Sequence, residues 1–547
     1  MDRDLGWAFA AAGAVVAFVA ITWWWLSQDR GVPFADAGSH LFTVIAYHDV
    51  IQAGEFSSVW HRSGYYPPMT FMVGAAATFV GGVNRSAPVL GQNVVYVPLL
   101  ALGCYQTGRL AANRLAGLLA VVFALGSPLL IEQFHVFMVD APEVALTAVA
   151  IWLILASDRF ARLPTSVAAG LTVGIGVLSK EQFPLFVVGL FAAVLLKGSG
   201  WRNWRGIAAF ALTALVVSAP WYVVNLSELG HYASAGLANA NLPPRGRPPL
   251  LSLSNLGWYF WALLNGVLFA PLFLFAATGV VRTTIVLVRR VRAGARSPPA
   301  DDVRSALLVG LLVAWLGISL TPHHDMRYAM PLVPYLAVLG TAWIVDLSST
   351  ARRLAIAGLT LAVVATTLAM SFGAGPDLRV VLGSRRVVTD VSFGIPSPNE
   401  ITVHADHDFN VSAPRRDDDI PGLFAAMQQD GVTGVAWVAG ESPLGDPVFD
   451  LQGALLLVRF AGLRTIDPDG GRLGYEEIPP DAGVPPPSQR WFLRWWNLAD
   501  PNHVSLIRRL SYGREPPCMW LSDGTGLWMR RGTGDDPSAP AYCPGRQ

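Results

Sequence analysis

Of the 547 residues, 53% are hydrophobic and 14% are charged, whereas a soluble domain carries roughly a quarter charged residues. That balance excludes a water-soluble globular protein and indicates an α-helical polytopic membrane protein, with the lipid bilayer as its solvent. The net charge of +1 leaves no basic field for nucleic acid, which is excluded as a partner, so the charges have to be read by position.

The first apolar run, Leu5 to Leu26, follows Met1 to Asp4. It lacks a small-residue cleavage site and is long enough to span a bilayer, so it reads as a retained first helix. A polar loop, 27–87, follows and opens with PFADAGSHL, which holds Asp36 and His40. Within it, Gly38 to Gly54 places Leu41, Val44, Ile45, His48 and Ile51 at helical spacing, with Asp49 and Glu55 off that face. This is the pattern of a juxtamembrane amphipathic helix. The stretch 67–83 is apolar but short, bounded by Pro67-Pro68 and Gly81-Gly82.

Further runs that could span are 88–108, 113–132, 141–157, 164–179, 182–197, 206–225, 257–281, 303–320, 328–347 and 354–373, about eleven helices with the first. If 67–83 does not cross, five successive loops on one side carry the basic residues. They are Arg109 and Arg114; Arg159 and Arg162; Lys197, Arg202 and Arg205; Arg289, Arg290, Arg292 and Arg296; and Arg352 and Arg353. Positive charge marks the cytoplasmic face, which puts the N-terminus in the cytoplasm of a multi-pass inner (plasma) membrane protein. Residues 1–375 form the membrane part, and the remainder lies outside.

Residues 376–547 read as an extracytoplasmic soluble domain. EITVHADHDF and VTGVAWVAG are strand-like, and IPGLFAAMQQDG and FDLQGALLLVRFAG are helix-like, so a small α/β core is expected. Of three cysteines, Cys104 falls in an apolar run. Cys518 and Cys543 form an even pair that an oxidising compartment would join, with two free thiols as the alternative.

With this orientation the external face collects ionisable groups at helix ends: Asp36 and His40, Glu132 and His135, Asp140 and Glu143, Lys180 and Glu181, and His323, His324, Asp325 and Arg327. Charge at such depth is expensive and functional by default. The cytoplasmic side carries mainly the Arg and Lys that orientation alone requires.

Four motifs occur in order: FADAGSH after the first helix, YYPPMTF, the Asp-x-Pro of VDAPEVALTAVAIWLIL, and RYAMPLVPYLAVLG near the end of the membrane part. Together they resemble the polyprenyl-phosphate-sugar-dependent glycosyltransferases of the GT-C fold, of the glycosyltransferase family 39 type. The closest groups are the protein O-mannosyltransferases and lipid A aminoarabinose transferases.

The resemblance implies transfer of a sugar from a polyprenyl-phosphate donor to an extracytoplasmic acceptor, a protein, glycan or lipid, with inversion. Asp36 matches the general base that deprotonates the acceptor hydroxyl, Asp140 the second acidic position, and His40 a neighbour of the base. Arg327 is the first choice for the donor phosphate and Lys180 the second. His323 and His324 could assist there or hold a divalent metal, and no other cofactor is implied. Two positions depart from the pattern: Ala37 replaces the Glu that many relatives place beside the first Asp. Tyr65-Tyr66 replaces the Glu-Lys that aminoarabinose transferases carry before Pro-Pro, which argues against that sugar.

Each residue also has a plainer reading. Asp36 suits a turn or cap, Asp140 a helix N-terminus opened by Pro142, and Arg327 and Lys180 interfacial snorkelling. Two rival functions belong to other classes. A transporter or flippase of a lipid-linked substrate would show internal repeats, and none is found. A non-catalytic envelope assembly protein would hold no lipid phosphate.

Overall fold

The computed structural model describes residues 2–381 except 32, 34, 64–65, 232–233, 235–251, 294–297 and 322–323, together with 400–405, 414, 434–438, 464–465, 491–496, 519–520 and 526–531. In chain order the helices are α1 (Asp2–Gln28), α2 (Ala35–Gln52), α3 (Met69–Gly81), α4 (Ser86–Ala111), α5 (Arg114–Leu125), α6 (Pro128–His135), α7 (Asp140–Ala156), α8 (Leu163–Val177), α9 (Pro184–Leu196), α10 (Trp204–Val224), α11 (Leu253–Ala262), α12 (Phe269–Arg292), α13 (Pro299–Ser319), α14 (Val333–Ala342) and α15 (Ser349–Phe372).

Every expected apolar run is occupied by helix. Seven helical spans among the described residues are long and apolar enough to cross a membrane, or eight if α5 and α6 count as one bent span. The remaining apolar helices are shorter. At 1.5 Å per residue, α3 and α9 with 13 residues each rise about 20 Å, less than the ~30 Å of a hydrocarbon core. Length therefore does not separate α3 from α9, and the positive-charge pattern alone carries the assignment of sides.

Two runs that read as single helices are broken. The run 113–132 bends by 62° between α5 and α6. Pro128 supplies no N–H there, and the Ser127 hydroxyl donates to the Val267 carbonyl at 2.6 Å. The run 257–281 is interrupted by a π-turn, Leu263–Val267, and by Phe269 at φ +52° before α12 continues to Arg292. The same turn carries Asn265, whose Oδ1 accepts the Thr402 N–H at 2.8 Å.

Close helix packing rests on glycine. A Cβ on Gly279 of α12 would lie 2.0 Å from the Leu339 oxygen on α14, and one on Gly103 of α4 would lie 2.4 Å from the Ala148 carbonyl carbon on α7.

The chain divides into two compact units. The first comprises 1–26, 46–82 and 86–413 and includes a hairpin of β1 (Leu378–Val381) with β2 (Glu400–His404), antiparallel. The second comprises 27–45, 83–85 and 414–547. It holds a mixed sheet of β3 (Gly434–Val438), β4 (Arg464–Thr465), β5 (Trp491–Trp496), β6 (Met519–Trp520) and β7 (Gly526–Arg531) in the order β4-β3-β5-β7-β6. β3 runs parallel to both β4 and β5, and β7 runs antiparallel to β5 and β6. The two helix-like segments expected there, and Cys518 and Cys543, lie outside the described residues. Also within this unit, the Arg85 guanidinium donates to Asp29 Oδ2 at 2.7 Å and to the Gly31 carbonyl at 2.6 Å.

Candidate active site

The site is built by three breaks in helical structure that face one another. Residues 136–139, just before α7, are held by α4: Gln92 accepts the Met138 N–H at 3.2 Å, and Asn93 donates to the Phe134 carbonyl at 2.8 Å. α7 then starts at Asp140, with Val139 as its N-cap residue. The plain capping reading of Asp140 therefore gives way, since its carboxylate instead accepts a hydrogen bond from Lys180 Nζ at 2.5 Å.

Lys180 sits between α8, which ends at Val177, and α9, which Pro184 opens. The Lys180 N–H still donates to the Gly176 carbonyl at 3.0 Å. Its ammonium also lies 3.5 Å from Glu143 Oε2 and 4.9 Å from the centre of the Tyr328 ring. Gln182 donates to the same Glu143 oxygen at 3.2 Å. Glu143 lies three residues after Asp140, on the same face of α7.

The third break is the 3₁₀ segment Met326–Leu332, capped by Asp325 and carrying Pro331 inside it. Asp325 accepts from the Arg327 backbone N–H at 2.9 Å and from Arg327 Nε and Nη2 at 2.9 and 2.7 Å. Held in this way, the guanidinium places Nη1 3.9 Å from Asp140 Oδ2. Asp140 thus lies between two cations, one near each oxygen. His324 rests against an aromatic wall on α11, stacked on Tyr259 at 5.4 Å and edge-on to Trp258 at 5.2 Å.

Asp140, Glu143, Lys180, Asp325 and Arg327 are all buried. Burial alone favours the neutral amine of Lys180, but Asp140 and Glu143 outweigh it and raise its pKa, so the ammonium persists. Such a group is costly to assemble and does little for stability compared with apolar packing. In a protein without a role for it, plain packing is the cheaper solution.

The structure brings together Asp140, Lys180 and Arg327 of the expected site, with His324 one residue from Asp325. Asp36 and His40 lie on α2, in the part belonging to the second unit. Asp36 is half-buried in the first turn and His40 is buried. The neighbouring positions Tyr65 and His323 lie outside the described residues.

Among the described residues no three His, Cys, Asp or Glu side chains gather to hold a metal ion. Asp140 and Glu143 are bridged by the Lys180 ammonium. Among the described residues these two carboxylates are thus engaged by an ammonium, and no step of the proposed chemistry runs through a metal.

Sequence reasoning passed over the roles of Gln182, Tyr328 and Asp325. For Asp325 a signal was present: an Asp two residues before Arg327, at the start of a Pro-containing turn, is the pattern of a carboxylate that caps its own backbone.

Residues 66–223 match the family model of dolichyl-phosphate-mannose-protein mannosyltransferase. That span includes Tyr66, Asp140 and Lys180 and leaves out Asp36, His40, His324 and Arg327. No curated protein sequence matches. Among solved structures, ArnT from Cupriavidus metallidurans bound to undecaprenyl phosphate superposes with a TM-score of 0.58 at 14% identity, covering 95% of this chain and 98% of that one. The apo form of the same protein gives 0.56 at 14% identity, covering 97% and 100%. The likeness to GT-C membrane glycosyltransferases read from the motifs is borne out, and the chain has their fold.

Proposed function

We propose that this GT-C-fold chain is a glycosyltransferase of the plasma membrane that moves a sugar from a polyprenyl-phosphate donor to an extracytoplasmic hydroxyl acceptor. The observation that carries the reading is the buried Asp140–Lys180–Arg327 cluster in a fold shared over almost the whole chain with ArnT, whose structure holds undecaprenyl phosphate. On this reading the N-terminus is cytoplasmic, residues 1–375 form the catalytic membrane part, and residues 376–547 form an extracytoplasmic domain.

The roles follow from charge. Asp36 takes the proton of the acceptor hydroxyl as that oxygen bonds to the anomeric carbon from the face opposite the leaving group. The bond between that carbon and the phosphate oxygen breaks, its electron pair stays on the phosphate, and the configuration inverts. Lys180 and Arg327 stabilise the phosphate as its negative charge grows, and His324 assists. His40 lies one turn from Asp36 on α2, as a neighbour of the base. Asp140 is a positioning residue on this account. A carboxylate flanked by an ammonium and a guanidinium is a poor proton acceptor but a good holder of both cations, with Glu143 and Asp325 as the private anchors of Lys180 and Arg327.

Titration of undecaprenyl phosphate into the protein in nanodiscs tests the phosphate assignment. Wild type and Asp36→Asn bind alike, whereas Lys180→Gln and Arg327→Gln each bind about tenfold or more weakly, because each removes one charge-assisted hydrogen bond to the phosphate. Unchanged binding in both variants would sink the assignment.

A further inference from the structure

The opposite end of the membrane part carries a second cluster that transfer does not use. Between α12, α13 and the end of α14 lies a shallow notch open to its surroundings. Its lining is mixed: Arg282 and Arg304 at the rim with Asp301, and Val286, Leu287 and the Trp343 ring on the walls.

We propose that this notch binds the phosphate headgroup of an anionic phospholipid of the cytoplasmic leaflet, a reading that shares the orientation assigned above from positive charge. Three observations argue for it. Arg282 makes one long ion pair, 3.8 Å to Asp346, and has no closer ionic partner among the described residues, so its guanidinium has donor capacity to offer. Arg304 is held in place by the Ala111 carbonyl at 2.9 Å, and its Nη1 reaches the same Asp346 at 3.4 Å, so an anchored guanidinium faces a more exposed one across the notch.

The charge also has the right sign. Arg282, Arg290 and Arg304 face Asp301 and Asp346, which leaves an excess of one positive charge. The walls suit the rest of such a lipid. Val281, Ile285 and Val288 expose an apolar face of α12 beside the notch, where acyl chains can lie, and Trp343 is an aromatic of the kind found at the headgroup level. Basic pockets between membrane helices on the cytoplasmic side are the known setting for anionic headgroups.

Native mass spectrometry of the full chain, released from micelles with equal amounts of phosphatidylglycerol and phosphatidylcholine of the same acyl chains, tests this. Wild type should retain phosphatidylglycerol in preference. Arg282→Gln should lower that preference about fivefold, one basic side chain's worth at an anionic surface. Leu287→Trp, which fills the notch and keeps every charge, should lower it similarly. Arg292→Gln removes the same charge from the exposed helix tip, outside the notch, and should leave the preference intact. The proposal is overturned if Arg292→Gln costs as much as Arg282→Gln, which would mean diffuse charge only. It is equally overturned if Leu287→Trp retains the lipid or if wild type does not discriminate. Because the readout is lipid retention, the outcome is independent of whether the external site transfers sugar.

Discussion

Replacing Lys180 by Met, a side chain of similar length without charge, isolates the energetics of the external site. Lys180 is buried with its Nζ 2.5 Å from Asp140 and 3.5 Å from Glu143. The substitution therefore leaves two buried carboxylates, with Arg327 at 3.9 Å as the remaining cation near Asp140. Removing one partner of a buried pair costs about 3–5 kcal/mol, because the other charge is stranded. Adding Asp140→Asn to Lys180→Met removes one stranded charge and should recover about 1–3 kcal/mol, the usual coupling between residues in contact. The assay is reversible unfolding in mixed micelles of the four proteins of this cycle. A loss of less than about 1 kcal/mol in the single variant, in the range of exposed ion pairs, would refute the buried-cluster account. So would strictly additive losses.

Other consequences are open to separate measurement. Asp325→Asn removes the charge that holds the Arg327 guanidinium and should weaken undecaprenyl phosphate binding about tenfold, one charge-assisted hydrogen bond's worth, in the same nanodisc titration. Gly279→Ala puts a methyl group 2.0 Å from the Leu339 oxygen. It should cost about 1–3 kcal/mol or more by overpacking, visible as a lower melting temperature in detergent. The raised pKa of Lys180 sets a pH expectation. A lysine whose folded pKa exceeds its unfolded value of about 10.4 stabilises fully below that value and loses its contribution as pH rises through the folded pKa. Stability of wild type relative to Lys180→Met should therefore not decline between about pH 6 and 9. A wild-type advantage that falls off within that window would contradict a charged Lys180.

How much of this was legible in the chain differs from residue to residue. The apolar runs located the helices because the bilayer imposes a minimum apolar length that the sequence has to meet, and the Asp-x-Pro of α7 marked a helix start. The bend at Ser127-Pro128 and the π-turn at Leu263–Val267 fall inside long apolar runs, whose length outweighed the local signals of Gly126-Ser127-Pro128 and Asn265-Gly266. What the sequence does not show is the tertiary part, a hydroxyl of one segment bonded to a carbonyl of the other. Lys180 and Arg327 were found as charges out of place, but their company was not. Asp140 meets Lys180 from 40 residues away, and no local pattern encodes that meeting. Asp325 was the exception, since its hold on Arg327 is local and written in the two-residue spacing.

The central claim is sugar transfer with Asp36 as the base, and it is tested most directly by following both products of one reaction. Purified protein in liposomes receives a polyprenyl-phosphate donor carrying a labelled sugar together with an extracytoplasmic acceptor fraction, and released polyprenyl phosphate and labelled acceptor are both counted. Wild type should produce them one for one, and Asp36→Asn, folded and still binding the lipid phosphate, should be slower by about 10²–10⁴-fold, the usual worth of a general base. Equal rates in the two proteins, or labelled acceptor without released polyprenyl phosphate, would contradict the account.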